Sequence, residues 1–151
     1  MATSQCRVVP AKIGHAKFIA RNLRQSDLIE LEAGGQSRSA VVFSFAQSNY
    51  CRTMLAPDGN PFVIWGVGGV PERKDLGCVW MLATEAFEKH AFSFLRVARK
   101  ELAAMFRLYP ILANRVYSKH ESALKWVRAL GFHVSDKCDE QGFRLFCKAV
   151  Q

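Results

Sequence analysis

The chain has 151 residues, half of them apolar and eleven of them Phe, which suits a single packed domain over residues 1–151 and excludes a disordered tail. With 21 Lys and Arg against 13 Asp and Glu, the formal charge is +8, favouring anionic surroundings such as nucleic acid, phosphates or an acidic protein surface. No stretch approaches the roughly 20 apolar residues of a membrane span, and residues 1–7 lack a secretory pattern, so folding in the cytoplasm is expected.

In chain order, Cys6 to Val9 reads as a first strand stopped by Pro10, and Ala11 to Arg24 carries Ala16, Ile19, Ala20 and Leu23 at helical spacing. Ser26 is positioned to cap a second helix with Asp27 and Glu30 in its first turn, and Gly34-Gly35 ends it. Residues 37–48 fit either a strand, through Val41-Val42-Phe43, or a helical stripe. Arg52 to Leu55 and Phe62 to Trp65 flank Pro57-Asp58-Gly59-Asn60, a hairpin signal. Gly66, Gly68 and Gly69 thin the second of these strands, consistent with a twist beside a loop, a bulge or backbone access for a ligand. After an exposed connection at 71–75, Cys78 to Leu82 is the next strand.

Phe87, Ala91, Phe94, Ala98, Leu102 and Phe106 form the apolar stripe of the longest helix. Lys89, Arg96, Lys100 and Arg107 make a second, basic stripe, either a solvated face or a site for phosphate or an acidic partner. Pro110 ends this segment and residues 111–116 supply a strand. Two further strands surround residues 139–142; in the last, Phe143, Leu145, Cys147 and Ala149 alternate with Arg144 and Lys148, while Phe146 breaks the polar row and implies cover by another element or a partner. The five cysteines (Cys6, Cys51, Cys78, Cys138, Cys147) are scattered, so reduced, packed thiols are expected. His15, His90, His120 and His133 are isolated, so no metal site is expected.

The most distinctive run is Val116 to Phe132. Ser118 and Glu121 have the spacing of a capping box, Ala123, Leu124, Val127 and Leu130 return on one helical face, and Gly131 offers a left-handed stop. This run resembles the C-terminal signature of the GNAT (Gcn5-related N-acetyltransferase) superfamily, in which a strand valine precedes Asn-x-x-Ala-Ile-x-x-Tyr-x-x-x-Gly-Phe. Ala123, Leu124 and Gly131-Phe132 match in register. The asparagine falls on His120, and the tyrosine that often acts as general acid falls on Val127, which has no proton to give.

The resemblance implies an α+β fold: a mostly antiparallel twisted sheet of six to seven strands flanked by four to five helices, with helix rather than strand at 37–48. It also implies a glycine-rich pyrophosphate loop after the fourth strand, but no glycine occurs between Gly77 and Gly131. Glu85 and Glu88 would place negative charge where a diphosphate should sit. Backbone groups near Leu82 and Ala83, amides at Thr84 and Glu85, and His120 are the residues left for coenzyme A if it binds, with Tyr117 or His120 as a recruited proton donor.

A wider set, Asp58-Gly59-x-Pro61, Trp65-Gly66-Val67, Val79 to Glu85, Phe94-Leu95-Arg96, Tyr109-Pro110, Asn114-x-Val116 and Trp126 to Phe132, is similar to small GNAT-like internal virion proteins of short-tailed bacteriophages. Two functions follow as expectations. The first is a non-enzymatic virion component that needs no cofactor, contacts other virion proteins or the genome, and resides in the particle. The alternative is an N-acetyltransferase that uses acetyl-coenzyme A on a phage or host amine.

Overall fold

A computed structural model describes residues 5–150; residues 1–4, where the segment read for a targeting signal begins, and residue 151 lie outside the described residues. The elements run β1 (Arg7–Pro10), α1 (Ile13–Arg21), α2 (Gln25–Ala33), α3 (Ala40–Gln47), β2 (Tyr50–Leu55), β3 (Pro61–Val70) and β4 (Arg73–Ala83). A 3-10 helix (Glu85–Lys89), α4 (Ala91–Phe106), β5 (Ile111–Tyr117), α5 (Glu121–Ala129), β6 (His133–Cys138) and β7 (Phe143–Ala149) complete it. The strands form one sheet in the order β1-β2-β3-β4-β5-β7-β6, antiparallel everywhere except β4–β5. This is the α+β architecture expected.

The sheet is covered on both faces, which is why β3 reads as a nearly continuous apolar run. Val63, Trp65 and Val67 join Phe94, Ala98 and Leu102 of α4 in one core. Ile64 joins Ala16 and Ile19 of α1 and Val41 of α3 in the other. Burial of Val41 settles residues 40–47 as helix, where β propensity alone left the choice open. The hairpin falls where Asp58-Gly59 placed it, with Gly59 at φ 89°. Two of the β3 glycines answer to backbone: a Cβ at Gly66 would sit 2.6 Å from the Tyr50 carbonyl oxygen, and one at Gly68 would sit 2.6 Å from that of Gln47, whereas one at Gly69 would meet the Tyr109 hydroxyl at 3.0 Å. The α3–β2 connection lies directly over this strand, and a register shift follows between Gly69 and Val70.

Four local expectations are corrected. The cap of α2 is Arg24 rather than Ser26; the carboxylate of Glu85, reaching from across the fold, accepts the Gln25 N–H at 2.8 Å. The long helix begins at Ala91, because the Thr84 hydroxyl accepts from Ala86 N–H and winds residues 85–89 into a separate tight turn that carries Phe87 and Lys89. The cap of α5 is His120, not Ser118: Ser118 N–H is held by the Gly142 carbonyl, so the helix starts two residues later. In β7 the polar row is the better covered one. Phe146 packs on Phe132 at 5.1 Å and Lys148 lies over the Phe106 ring, whereas Leu145, expected inward, is 57 % exposed. Phe143 of the expected row is buried, beside Gly34 at the end of α2. All five cysteines are unpaired, and burial pushes the Cys51 thiol up to about 12.

Candidate functional site

Strands β4 and β5 pair over only three positions, Leu76↔Ile111, Gly77↔Leu112 and Cys78↔Ala113. At the next position the Asn114 side-chain amide donates to the Val79 carbonyl at 2.8 Å. Beyond that bridge the strands part. A cavity of about 230 Å³ fills the gap, lined by β4 from Val79 to Leu82, by α4 residues such as Phe94 and Ala98, and by Ala123, Trp126 and Val127 of α5. These α5 residues pack against the edge of the core and also border the cavity, and none of the helix is fully buried.

The edge that β4 presents to the gap follows from alternation. Thr84 N–H bonds to the Phe62 carbonyl of β3, so Leu82 and Trp80, two and four residues earlier, also direct their backbone groups to β3. Val79, Met81 and Ala83 therefore face the other way. Val79 is taken by Asn114, and Ala83 is taken twice, its N–H by Asp27 Oδ2 at 2.9 Å and its carbonyl by the Arg24 N–H at 2.9 Å. Met81 is left between them, its N–H and carbonyl turned to the cavity with no partner among the described residues. Sequence reasoning missed Met81, since the parity of backbone groups depends on register.

Helix α2 closes one end of the gap by holding both strands. Asp27, 1 % exposed, binds β4 through Ala83, lies 3.0 Å from Arg24 Nε, and meets His120 Nε2 at 2.7 Å. The Arg24–Asp27 contact is an ion pair without an aligned hydrogen bond from Nε. Arg24 also stacks over the Phe87 ring at 5.0 Å and reaches Glu88 at 3.4 Å. One turn further along α2, Glu30 accepts the Tyr117 N–H of β5 at 2.8 Å. Burial raises the Glu30 carboxyl above its ordinary value, an effect the Tyr117 N–H partly offsets.

These contacts locate the residues singled out from sequence. His120 lines the cavity, but its Nδ1 accepts the Ala123 N–H at 3.3 Å, which leaves the proton on Nε2, donated to Asp27. It is a helix cap and a buried anchor with both ring nitrogens engaged. Tyr117 stacks on Phe143 at 5.3 Å, on the β7 side, and is not part of the cavity wall. Leu82 contributes its side chain to the wall, while its backbone belongs to the β3 ladder. Thr84 and Glu85 are occupied in local capping and in holding α2. Val127 does line the cavity. Arg96 and Lys100 share one exposed face of α4 with Arg107 just past its end, while Lys89 stands apart on the 3-10 turn.

Two groupings were invisible in the sequence. Ligand atoms of Asp27, Glu30 and His120 lie within 4.8 Å of one another, although His120 is 93 residues from Asp27. Both Asp27 oxygens and both His120 nitrogens are already satisfied by protein groups, and Arg24 supplies the positive charge there. The second is Glu101, 9 % exposed on the α4 side of the cavity. Its Oε1 accepts from Trp65 Nε1 at 3.0 Å and from the Tyr50 hydroxyl at 2.8 Å, while Oε2 has no partner among the described residues. Trp65 stands directly opposite Met81 across the β3–β4 ladder, so Glu101 lies at the level of the open β4 edge.

No protein-family model and no curated protein matches the sequence. Solved structures match the fold along nearly its whole length. An acetyltransferase from Thermus thermophilus is 14 % identical with a TM-score of 0.68, covering 99 % of this chain and 100 % of its own. A putative acetyltransferase from Acinetobacter baylyi is 14 % identical with a TM-score of 0.70, covering 98 % and 94 %. The PaiA N-acetyltransferase of Thermoplasma acidophilum, solved in complex with coenzyme A, is 10 % identical with a TM-score of 0.67, covering 96 % and 99 %. At such identities the likeness establishes the fold alone. The chain has the GNAT acetyltransferase fold.

Proposed function

We propose that this protein is an acyl-coenzyme A-dependent N-acyltransferase, in which an amine approaches an acyl thioester held in the gap between β4 and β5. The observation that carries this reading is the unpartnered backbone of Met81, facing a largely apolar cavity where the two strands diverge. A thioester carbonyl placed there would receive the Met81 N–H, a donor fixed by the β3 ladder and directed at the oxygen on which charge develops. The Met81 carbonyl and the adjoining apolar wall suit the amide-bearing pantetheine arm of coenzyme A. Helix α4, whose Phe94 lines the cavity, starts without a side-chain cap, so the amides of its first turn remain available to phosphate, though without a glycine-rich approach. Coenzyme A would supply the activated acyl group; the chain's own groups orient it and stabilise the oxyanion.

Calorimetric titration with acetyl-coenzyme A, followed by thiol release with a panel of primary amines, tests this. At 100 times its dissociation constant a bound ligand adds about 2.7 kcal/mol, or roughly 5–11 °C in melting temperature for a chain of this size. Met81→Pro removes the donor at the open edge, which takes no part in the β3 ladder, and is expected to weaken binding at least tenfold; an unchanged melting temperature without ligand establishes that the strand accepts the fixed φ. No heat and no melting shift at millimolar ligand would overturn the reading.

A second reading, a non-enzymatic virion component of a short-tailed phage made in the host cytoplasm, is favoured by a different observation. Arg24 and Asp27 already occupy the Ala83 end of the open edge, and a 3-10 turn stands where a phosphate loop would be. On that reading the cavity is a remnant and no acyl donor binds. Mass spectrometry of purified particles tests it directly, and absence of the chain from them would refute it.

A further inference from the structure

The two helices on one side of the sheet turn outward a surface of nearly one sign. On α4 and just past its end, Arg96, Arg99, Lys100 and Arg107 are exposed, while the only carboxylate of that helix, Glu101, is buried. On α5, which packs beside α4 through the Trp126–Phe94 contact at 5.3 Å, Lys125 and Arg128 are exposed next to one exposed carboxylate, Glu121. Arg99 reaches the Ala129 carbonyl at 3.4 Å and so draws the two rows together. The side chains of Arg96, Lys100, Arg107, Lys125 and Arg128 have no ion pair or hydrogen bond among the described residues.

Positions 96, 100, 103 and 107 recur every three to four residues, so Arg96, Lys100 and Arg107 form one ridge of about 16 Å, interrupted only by the small Ala103. We propose that this α4–α5 face binds duplex DNA through its phosphates, without reading sequence. Duplex DNA carries one negative charge per about 1.7 Å of axis. Over this length a duplex carries roughly ten phosphates on its two strands together, only part of them on the side turned to a straight ridge. The alternative of a single strand is disfavoured because strand binders need successive aromatic platforms, and the one strongly exposed ring here is Phe92, 82 % exposed, at the head of the ridge. Arg and Lys on rigid helices are positioning contacts to a backbone. This surface is separate from the β4–β5 gap and is independent of acyl transfer.

Fluorescence anisotropy of a labelled 20-base-pair duplex, titrated with the full chain from 50 to 200 mM KCl, tests the proposal. If four of the six cations reach phosphates, the slope of log Kobs against log salt is about −3.6, a loss of roughly 150-fold across that range. Arg96→Glu with Lys100→Glu is expected to weaken binding at 50 mM at least tenfold and to shrink the slope by about 1.8. Lys17→Glu with Arg21→Glu, the same charge change on exposed residues of α1 across the sheet, is expected to preserve most of the affinity. Unchanged melting temperatures establish that both variants fold. The proposal is overturned by absence of binding at 50 mM, by equal losses in the two variants, or by poly-L-glutamate competing as well as DNA, which would assign the face to an acidic protein.

Discussion

Removal of the Asp27 carboxylate is the sharpest perturbation this fold offers, since one side chain there joins α2, β4 and the start of α5. Asp27→Ala would leave the Arg24 guanidinium, 2 % exposed, with the long 3.4 Å contact to the largely exposed Glu88 as its remaining ion pair beside the Phe87 ring, and would orphan the Ala83 N–H and the His120 Nε2 proton. Breaking a buried ion pair from one side costs about 3–5 kcal/mol, because the surviving charge stays desolvated. The expected loss of about 4 kcal/mol corresponds to roughly 8–16 °C in melting temperature. Urea unfolding with an unchanged m-value is the assay. Asp27→Asn keeps an acceptor for the Ala83 N–H but turns an NH2 donor toward the Nε2 proton of His120 and lacks the charge, so it should recover only part of the loss caused by Asp27→Ala. The double variant Arg24→Met with Asp27→Leu removes both charges and should be more stable than Asp27→Ala alone, because replacing a whole buried pair by apolar groups is often near neutral. The reasoning is refuted if Asp27→Ala costs under about 1 kcal/mol, or if the double variant is no better than the single one.

Two further perturbations separate the roles of charge and packing. For Glu30, burial raises the folded-state carboxyl above its ordinary 4.5, so the folded chain holds a proton more tightly than the unfolded chain; stability from this group therefore falls as pH rises from about 4.5 through the raised value, then stays lower. Glu30→Gln keeps an acceptor for Tyr117 and cannot titrate, so the stability difference between it and wild type should change with pH across that window; a flat difference refutes the assignment. In β3, Gly68→Ala would set a Cβ 2.6 Å from the Gln47 carbonyl oxygen, a contact with backbone that cannot swing away, and about 1–3 kcal/mol of destabilisation in denaturant melts is expected; a neutral result would show that the α3–β2 connection yields.

The parts of this fold that were legible in the sequence are those fixed by near neighbours. Asp58-Gly59 needs only its own turn, Gly131 needs only the helix it closes at φ 90°, and the stripe Phe94, Ala98, Leu102 needs only a sheet to face. Caps were misread where a distant group competed: Glu85, 60 positions away, serves the start of α2 better than Ser26 does, and Gly142 holds Ser118 in the sheet. The anchor of Arg24, Asp27 and His120 had no signature at all, because its members are dispersed and each residue type is ordinary at its own site.

One reading from sequence bears directly on function. From sequence, Glu85 and Glu88 follow the fourth strand where a diphosphate would lie, and their charge weighed against coenzyme A. In the structure both carboxylates serve α2, Glu85 accepting the Gln25 N–H and Glu88 approaching Arg24. A carboxylate that satisfies a helix start and a buried guanidinium is partly neutralised by them, so its repulsion of a nearby phosphate is smaller than its position in the sequence implies. What still weighs against the acyl donor is geometry rather than charge: the missing glycines, and the Ala83 backbone held by Arg24 and Asp27. Met81, one step back along the same edge, is the position where those two considerations do not apply.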